Sequence, residues 1–166
     1  MKNKKGNADM AVFIITLVGL LIMAIVVLKI VNSILTPLGT QLNQTSIQAY
    51  ENINYVHTTF VTFWDYLILI AMLVQIVLLF IFTFLADTNP VFIILYIIVG
   101  IIMLGLSPYA IEPVNQLFGM SEFSTEVLQL PLTNFVVTYF HMIIFSVYLI
   151  TGIILYAKFR GRSSDL

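Results

Sequence analysis

Four long runs of apolar residues, separated by more polar stretches, dominate the hydrophobic pattern of this chain. They cover residues 10–31, 66–86, 90–108 and 135–157. An α-helix rises about 1.5 Å per residue and the hydrocarbon core of a bilayer is about 30 Å thick, so roughly 20 apolar residues make one crossing. The pattern therefore predicts an all-α integral membrane protein with four transmembrane helices, forming a single membrane domain over residues 1–166.

The first external segment, residues 37–64, is rich in Asn, Gln and Thr, yet its apolar residues recur at helical spacing. The recurring positions are Leu38, Leu42, Tyr50, Ile53, Val56 or His57, Phe60, and Phe63 or Trp64. This spacing predicts a partly amphipathic helix that either lies on the membrane or projects from it. Trp64 and Tyr66 stand where aromatic anchors at the membrane interface belong.

Proline positions predict where several helices end. The first helix should stop near Pro37 and the third span at Pro108, since proline inside a helix removes a backbone hydrogen bond. Residues 87–90 predict a tight hairpin turn between the second and third spans, with its proline opening the third helix. In the second external segment, residues 109–134, the stretch 124–130 predicts a short surface helix.

Composition explains why lipid is the expected solvent. Hydrophobic residues make up 60% of the chain and charged residues only 9%, which leaves too little polar surface for a compact water-soluble domain. The formal net charge of −1 gives no bulk attraction to nucleic acid, so no specific nucleic-acid partner is expected. Because cysteine is absent, disulfides, thiolate catalysis and cysteine-ligated metals are excluded.

The basic residues predict an orientation in the membrane, because six of the seven lie near the chain ends. These six are Lys2, Lys4, Lys5, Lys158, Arg160 and Arg162. An even number of spans places both termini on one side, and the excess of Lys and Arg predicts that this side is the cytoplasm. The same residues can attract anionic lipid. The seventh, Lys29, should reach toward the headgroups at the outer end of the first helix.

Two polar residues inside the predicted spans, Gln75 and His141, are candidates for contacts between helices. A mid-membrane amide needs a partner on another helix, and a histidine needs a hydrogen-bonding neighbour. The alternatives are a pore-lining role for Gln75 and a proton relay through His141. The acidic residues outside the spans are expected to form a solvated surface rather than a cation site or an acid–base pair. They are Glu51, Asp65, Glu112, Glu122 and Glu126.

The sequence contains none of the short motifs that mark metalloproteases, serine hydrolases, P-loop enzymes or dinucleotide-binding domains. We therefore expect no enzyme activity, no cofactor, no metal and no small-molecule substrate. The favoured function is a structural or assembly subunit of a larger complex, whose partners are the bilayer and other membrane or capsid-type subunits, including further copies of itself. The alternative is a holin-like or other small pore-forming protein.

Residues 84–117, FLADTNPVFIILYIIVGIIMLGLSPYAIEPVNQL, combine an Asn-Pro turn, an aliphatic span and a Ser-Pro exit into a polar amphipathic segment. In this arrangement the chain resembles small integral membrane proteins of phages and of tailless viruses with an internal membrane. The resemblance implies a virion membrane protein that fastens lipid to a capsid shell or spike, with its basic termini facing the shell. It implies no catalytic residues.

Overall fold

The computed structural model describes residues 5–85 and 90–163, which are almost entirely helical. Their helices are α1 (Lys5–Thr45), α2 (Ile47–Leu85), α3 (Pro90–Gly119), α4 (Ser124–Gln129), α5 (Pro131–Thr138) and α6 (Phe140–Ser163), with a 3-10 turn at Ser121–Phe123. This part of the chain contains no β-strand, so the predicted all-α class is confirmed. The short helix predicted over 124–130 is confirmed as α4, whereas the turn predicted at 87–90 lies largely outside the described residues.

Four helices in the described ranges are long and apolar enough to cross a membrane, as predicted. They are Ala11–Thr45, Ile47–Leu85, Ile94–Gly119 and Phe140–Gly161. In α1, Leu17 and Leu21 are fully buried, whereas Ile15 on the other side of the helix is 71% exposed and Met23 is 56% exposed. A helix that is apolar on both its packed and its exposed faces suits a lipid environment.

The predicted helix end at Pro108 is wrong, because α3 continues through this residue to Gly119. Proline has no backbone N–H, so the carbonyl of Leu104 loses the donor that it would have in a regular helix. The hydroxyl of Ser107 donates to that carbonyl oxygen at 2.8 Å. A side chain one residue before the proline thus replaces the missing hydrogen bond, and the helix does not have to end.

The predicted stop near Pro37 is also wrong, since α1 runs on to Thr45. Beyond the proline, Gly39 packs close to the ring of Tyr50, where an added Cβ atom would lie 3.8 Å from the ring. The last part of α1 thus packs against α2, and tertiary contacts of this kind can override the local preference of proline. At both prolines the helix continues, so α1 and α3 are longer than the predicted spans.

The chain divides into two compact units. The central unit consists of Gly19–Ile70 and Val114–Thr138, and the terminal unit contains the described residues of 1–18, 71–113 and 139–166. Fully buried side chains in the central unit include Leu21, Ile25, Leu28, Val114, Leu130 and Val136; in the terminal unit they include Leu17, Phe140 and Ile144. Each unit therefore has an apolar interior of its own.

Candidate functional site

A helical hairpin with a single-residue turn at Ser46 organises the central unit. The backbone N–H of Ser46 donates to the carbonyl of Leu42 at 2.7 Å, and its carbonyl accepts from Tyr50 at 3.1 Å. Its hydroxyl oxygen also accepts a hydrogen bond from the N–H of Ala49 at 3.4 Å. Serine is a favoured residue at a helix start because its side chain can satisfy such an N–H group. Ser46 therefore ends α1 and caps α2 at once.

Two hydrogen bonds show that the arms of this hairpin run antiparallel. Near the turn, Asn32 of α1 meets His57 of α2, with 2.6 Å between Oδ1 and Nε2. Further from the turn, the indole N–H of Trp64 donates to the carbonyl of Ala24 at 3.2 Å. We define residues 32–64 as the helical hairpin; it includes the whole of the predicted first external segment, residues 37–64.

The structure also resolves the two alternatives in the predicted apolar stripe. His57 and Trp64 are half-buried and contact α1, whereas Val56 is 54% exposed and Phe63 is 61% exposed. The face that packs on α1 is therefore the one with His57 and Trp64. Because the indole N–H of Trp64 has a protein acceptor, its role as a headgroup anchor stays a prediction, as does that of Tyr66, which is 54% exposed.

Asn32 lies at the centre of a buried polar cluster. Its Nδ2 atom donates to Glu126 Oε1 at 3.0 Å and to Gln129 Oε1 at 3.1 Å, while its Oδ1 atom contacts His57 Nε2. Since Oδ1 can only accept, the proton of the His57 ring lies on Nε2. The cluster joins α1, α2 and α4, and it leaves no polar atom of the Asn32 side chain without a partner.

Lys29 and Glu126 form the charged part of this cluster. Lys29 Nζ lies 3.6 Å from Glu126 Oε2, donates to the backbone carbonyl of Glu122, and sits 5.7 Å from the centre of the Phe123 ring. The lysine side chain is 44% exposed and that of the glutamate only 3%. Glu126 Oε2 has no hydrogen-bond partner among the described residues. A buried carboxylate oxygen without a donor is energetically costly, which singles it out as a candidate ligand-binding atom.

A cavity of about 240 Å³ adjoins this ion pair. Its lining residues are Lys29, Asn32, Ser33, Thr36, Thr125, Glu126 and Gln129. The walls therefore offer an ammonium group, a carboxylate, amides and hydroxyls, which suit a small polar group. Among the described residues, no three His, Asp or Glu side chains are grouped so that they could hold a metal ion.

Asp65 forms a second buried polar site in the central unit. Its carboxylate accepts hydrogen bonds from the backbone N–H groups of Leu132 at 2.9 Å and Thr133 at 2.7 Å, and from the Thr133 hydroxyl at 2.7 Å. Pro131, the first residue of α5, has no N–H to satisfy. Asp65 therefore caps α5 from another helix and places a negative charge at its N-terminus, where it is favourable.

These two sites correct the prediction that the acidic residues form a solvated surface. Glu126 is 2% exposed and Asp65 is 4% exposed, so the prediction is wrong for both. Each buried carboxylate accepts a hydrogen bond from a distant segment of the chain, Asp65 from α5 and Glu126 from Asn32. Glu51, Glu112 and Glu122 are exposed, as expected.

In the terminal unit, two tyrosines tie α3 to α6. The rings of Tyr96 and Tyr148 stack with centroids 4.8 Å apart. The Tyr96 hydroxyl donates to the carbonyl of Tyr148 at 2.8 Å, and the Tyr148 hydroxyl lies 3.3 Å from the carbonyl of Tyr96. A Cβ atom on Gly100 would lie only 1.8 Å from the Tyr148 ring, so the stack requires glycine at this position.

The predicted polar residues of the spans lie in different surroundings. His141 Nδ1 lies 3.3 Å from the hydroxyl of Ser107 on α3, which is a contact between helices. Because that hydroxyl already donates to Leu104, it accepts here, and the ring proton lies on Nδ1. Gln75 Oε1 is buried without a hydrogen-bond partner among the described residues. A partner for Gln75 on another helix thus stays a prediction.

Of the predicted topology residues, Lys158 has the most informative position. Its ammonium group donates to the backbone carbonyl of Phe84 at 2.6 Å, at the end of α2, where carbonyls lack helical donors and a positive charge is favourable. Lys5 and Arg162 lie within α1 and α6. Lys2 and Lys4 lie outside the described residues.

Sequence reasoning missed Asn32, His57, Glu126 and Gln129 as a group, although part of the signal was present. Lys29 and Asn32 are three residues apart, as are Glu126 and Gln129, so each pair shares one face of its helix. What the pattern does not contain is which faces meet. Comparison with protein families, with curated proteins and with solved structures found no match for this chain.

Proposed function

We propose that this protein is a non-enzymatic membrane subunit that assembles with other proteins through its helical hairpin. Four membrane-spanning helices would anchor the chain, and the hairpin would project from the membrane as a rigid docking element. The observation that carries this proposal is the continuity of α1 and α2 beyond the length of a single crossing. α1 has 41 residues and α2 has 39, whereas roughly 20 suffice to span a bilayer.

The hairpin has the length and the internal bracing that a docking element needs. Residues 32–45 of α1 would extend about 21 Å beyond the apolar run, at about 1.5 Å per residue. The polar cluster around Asn32 fixes the base of this projection, because two of its bonds join α1 to α4 and a third joins α1 to α2. Such cross-links favour a defined surface over a mobile loop.

One face of α2 within the hairpin is apolar and exposed, and we refer to it as the outer stripe. It consists of Tyr55, Val56 and Phe63, which are 73%, 54% and 61% exposed. These residues lie on one side of the helix, away from the His57 and Trp64 face. In a segment otherwise rich in Asn, Gln and Thr, exposed apolar side chains are typical of a protein contact. The outer stripe is the proposed docking surface.

The proposal is tested by replacing the stripe and following assembly. We expect Tyr55→Ser combined with Val56→Ser to shift the protein from a high-mass complex to a smaller species in mild detergent, measured by native gel on membranes that contain the natural partners. The matched control combines Glu51→Ser with Thr58→Ser, two exposed positions beside the stripe. The control should leave the complex intact. Migration of the wild-type protein as a single chain, with no partner and no second copy of itself, would contradict the proposal.

The pore alternative is separated from the assembly proposal by a measurement of membrane potential. Induced expression in bacteria should leave the membrane potential unchanged if the protein is an assembly subunit, whereas a holin-like protein should collapse it rapidly. The resemblance of residues 84–117 to viral membrane proteins supports a virion membrane as the setting of the assembly. In a virion membrane, the basic ends are expected to face the capsid shell. Protection of both termini from protease inside the lumen of purified particles would therefore contradict that setting.

The proposed orientation is testable because the chain has no cysteine of its own. A single cysteine at Gly161, beyond the last apolar run, should resist a membrane-impermeant thiol reagent in intact cells. A single cysteine at the exposed Ser121, between α3 and α4, should react. The reverse labelling pattern would overturn the proposal that both termini are cytoplasmic.

A further inference from the structure

We propose that the cavity beside Lys29 and Glu126 binds the headgroup of a phospholipid with a primary ammonium group, as in phosphatidylethanolamine. This inference rests on the membrane insertion assumed in the proposed function. Lys29 is the first charged residue after position 9 and lies near the outer end of the predicted span 10–31, so in a bilayer the cavity lies at the level of the lipid headgroups.

The carboxylate of Glu126 defines one half of the site, because Glu126 is one of the residues that line the cavity. Its Oε1 atom accepts from Asn32, but its Oε2 atom is buried and has no hydrogen-bond partner among the described residues. Lys29 Nζ, at 3.6 Å, is beyond hydrogen-bond distance and donates instead to the carbonyl of Glu122. The missing interaction at Oε2 is therefore an N–H or O–H donor, and a charged donor gives the strongest bond.

Lys29 defines the other half of the site. Its side chain is 44% exposed and lines the same cavity, together with the hydroxyl-bearing residues Thr36 and Thr125. An ammonium group and hydroxyl-bearing residues in the walls of one cavity are a suitable environment for a phosphate. A lone anion would be repelled by Glu126 and a lone cation by Lys29, whereas a headgroup with both charges matches the pair.

The unsatisfied oxygen also discriminates among lipids. Phosphatidylcholine carries the same phosphate, but its quaternary ammonium has no N–H group and would leave Glu126 Oε2 without a donor. Phosphatidylglycerol offers hydroxyl donors but brings a net negative charge close to the buried carboxylate. The chemistry of the cavity therefore favours phosphatidylethanolamine over both.

The test measures lipid retention by the full-length protein in detergent, using native mass spectrometry. The probes are phosphatidylethanolamine, its N-methyl and N,N-dimethyl derivatives, phosphatidylcholine and phosphatidylglycerol, all with the same acyl chains. We expect binding to weaken as methyl groups replace N–H donors, with about a tenfold preference for phosphatidylethanolamine over phosphatidylcholine. Equal binding along the methylation series, or tightest binding of phosphatidylglycerol, would overturn the proposal.

Variants locate the effect at Glu126. Glu126→Gln keeps an acceptor for Asn32 but can place an amide donor toward the lipid ammonium, so the preference for phosphatidylethanolamine should disappear. Glu122→Gln, at an exposed side chain whose backbone carbonyl remains in place, should keep it. An unchanged preference in folded Glu126→Gln would refute the site, and if that variant fails to fold, the methylation series on the wild type decides.

Failure of this inference is distinguishable from failure of the proposed function. A protein that forms its complex through the outer stripe but binds all phospholipids equally refutes the lipid site alone. A protein that prefers phosphatidylethanolamine but remains a single chain in its native membrane refutes only the assembly role. The two experiments use different residues and different measurements.

Discussion

The central and terminal units are held together by different chemistry. In the central unit, buried side chains carry charge: Glu126 pairs with Lys29, and Asp65 caps α5. In the terminal unit, α3 and α6 are joined by the stacked pair Tyr96 and Tyr148 and by a longer contact between Ser107 and His141. Charged groups are costly in hydrocarbon unless they are paired, whereas a tyrosine buries a large apolar ring with one polar end. We therefore expect the stability of the central unit to depend mainly on a few buried polar contacts, and that of the terminal unit mainly on the close packing of side chains.

The largest expected effect is at Asp65. Replacement Asp65→Ala would remove the acceptor of three hydrogen bonds at a residue that is 4% exposed. Unsatisfied buried donors cost about 1–3 kcal/mol each, so the free energy of unfolding should fall by more than about 3 kcal/mol. Thermal unfolding in detergent, followed by circular dichroism, measures this.

The control for Asp65 is Glu51→Ala, at an exposed acidic residue of the same helix. It should change stability by less than about 0.5 kcal/mol. If the two alanine variants unfold at the same temperature, the cap that Asp65 provides from α2 does not stabilise α5. The central unit would then not depend on buried charge.

A smaller effect is expected at Gly100 in the terminal unit. The added methyl group of Gly100→Ala would overlap the Tyr148 ring, so the stack with Tyr96 must open. Overpacking of this kind costs about 1–3 kcal/mol. Gly105→Ala is the matched control, because a Cβ atom there meets nothing within 4 Å, and it should be neutral or slightly stabilising.

A double variant sharpens this prediction. Combining Gly100→Ala with Tyr148→Ala removes the overlap, so the glycine substitution should cost nothing further in that background. A full cost of Gly100→Ala in the absence of the Tyr148 ring would show that the backbone of α3, rather than the ring contact, requires glycine.

How far the fold follows from sequence differs between local and distant features. The four spans, the helical character of residues 37–64 and the short helix α4 were predictable, because each depends on periodicity within one segment. The pairing of Asn32 with Glu126 was not, since 94 residues separate them and only tertiary packing decides which helix faces meet. Pro108 misled because the Ser107 hydroxyl replaces the hydrogen bond that proline removes.

The third effect concerns Trp64 and separates the packing of its ring from the hydrogen bond of its indole N–H. Trp64→Phe keeps a ring to stack on Phe60 but removes the N–H that donates to Ala24. The net loss should be about 1 kcal/mol, measured by thermal unfolding in detergent. Tyr66→Phe, which removes an exposed hydroxyl, should have a smaller effect in detergent. Equal losses would indicate that Trp64 does not act through its bond to α1.

The smallest expected effect on the free energy of unfolding is at His141, and it measures how far the terminal unit depends on polar contacts. The ring is exposed and its contact with Ser107 is long, at 3.3 Å. Hydrogen bonds between membrane helices average about 0.6 kcal/mol, so His141→Leu should lower the free energy of unfolding by no more than that. Ser107→Ala should cost more, because it also leaves the Leu104 carbonyl without the donor that replaces the N–H absent at Pro108. A loss at His141 comparable to that at Asp65 would remove the contrast between the units, since it would show that the terminal unit also relies on a polar contact between helices.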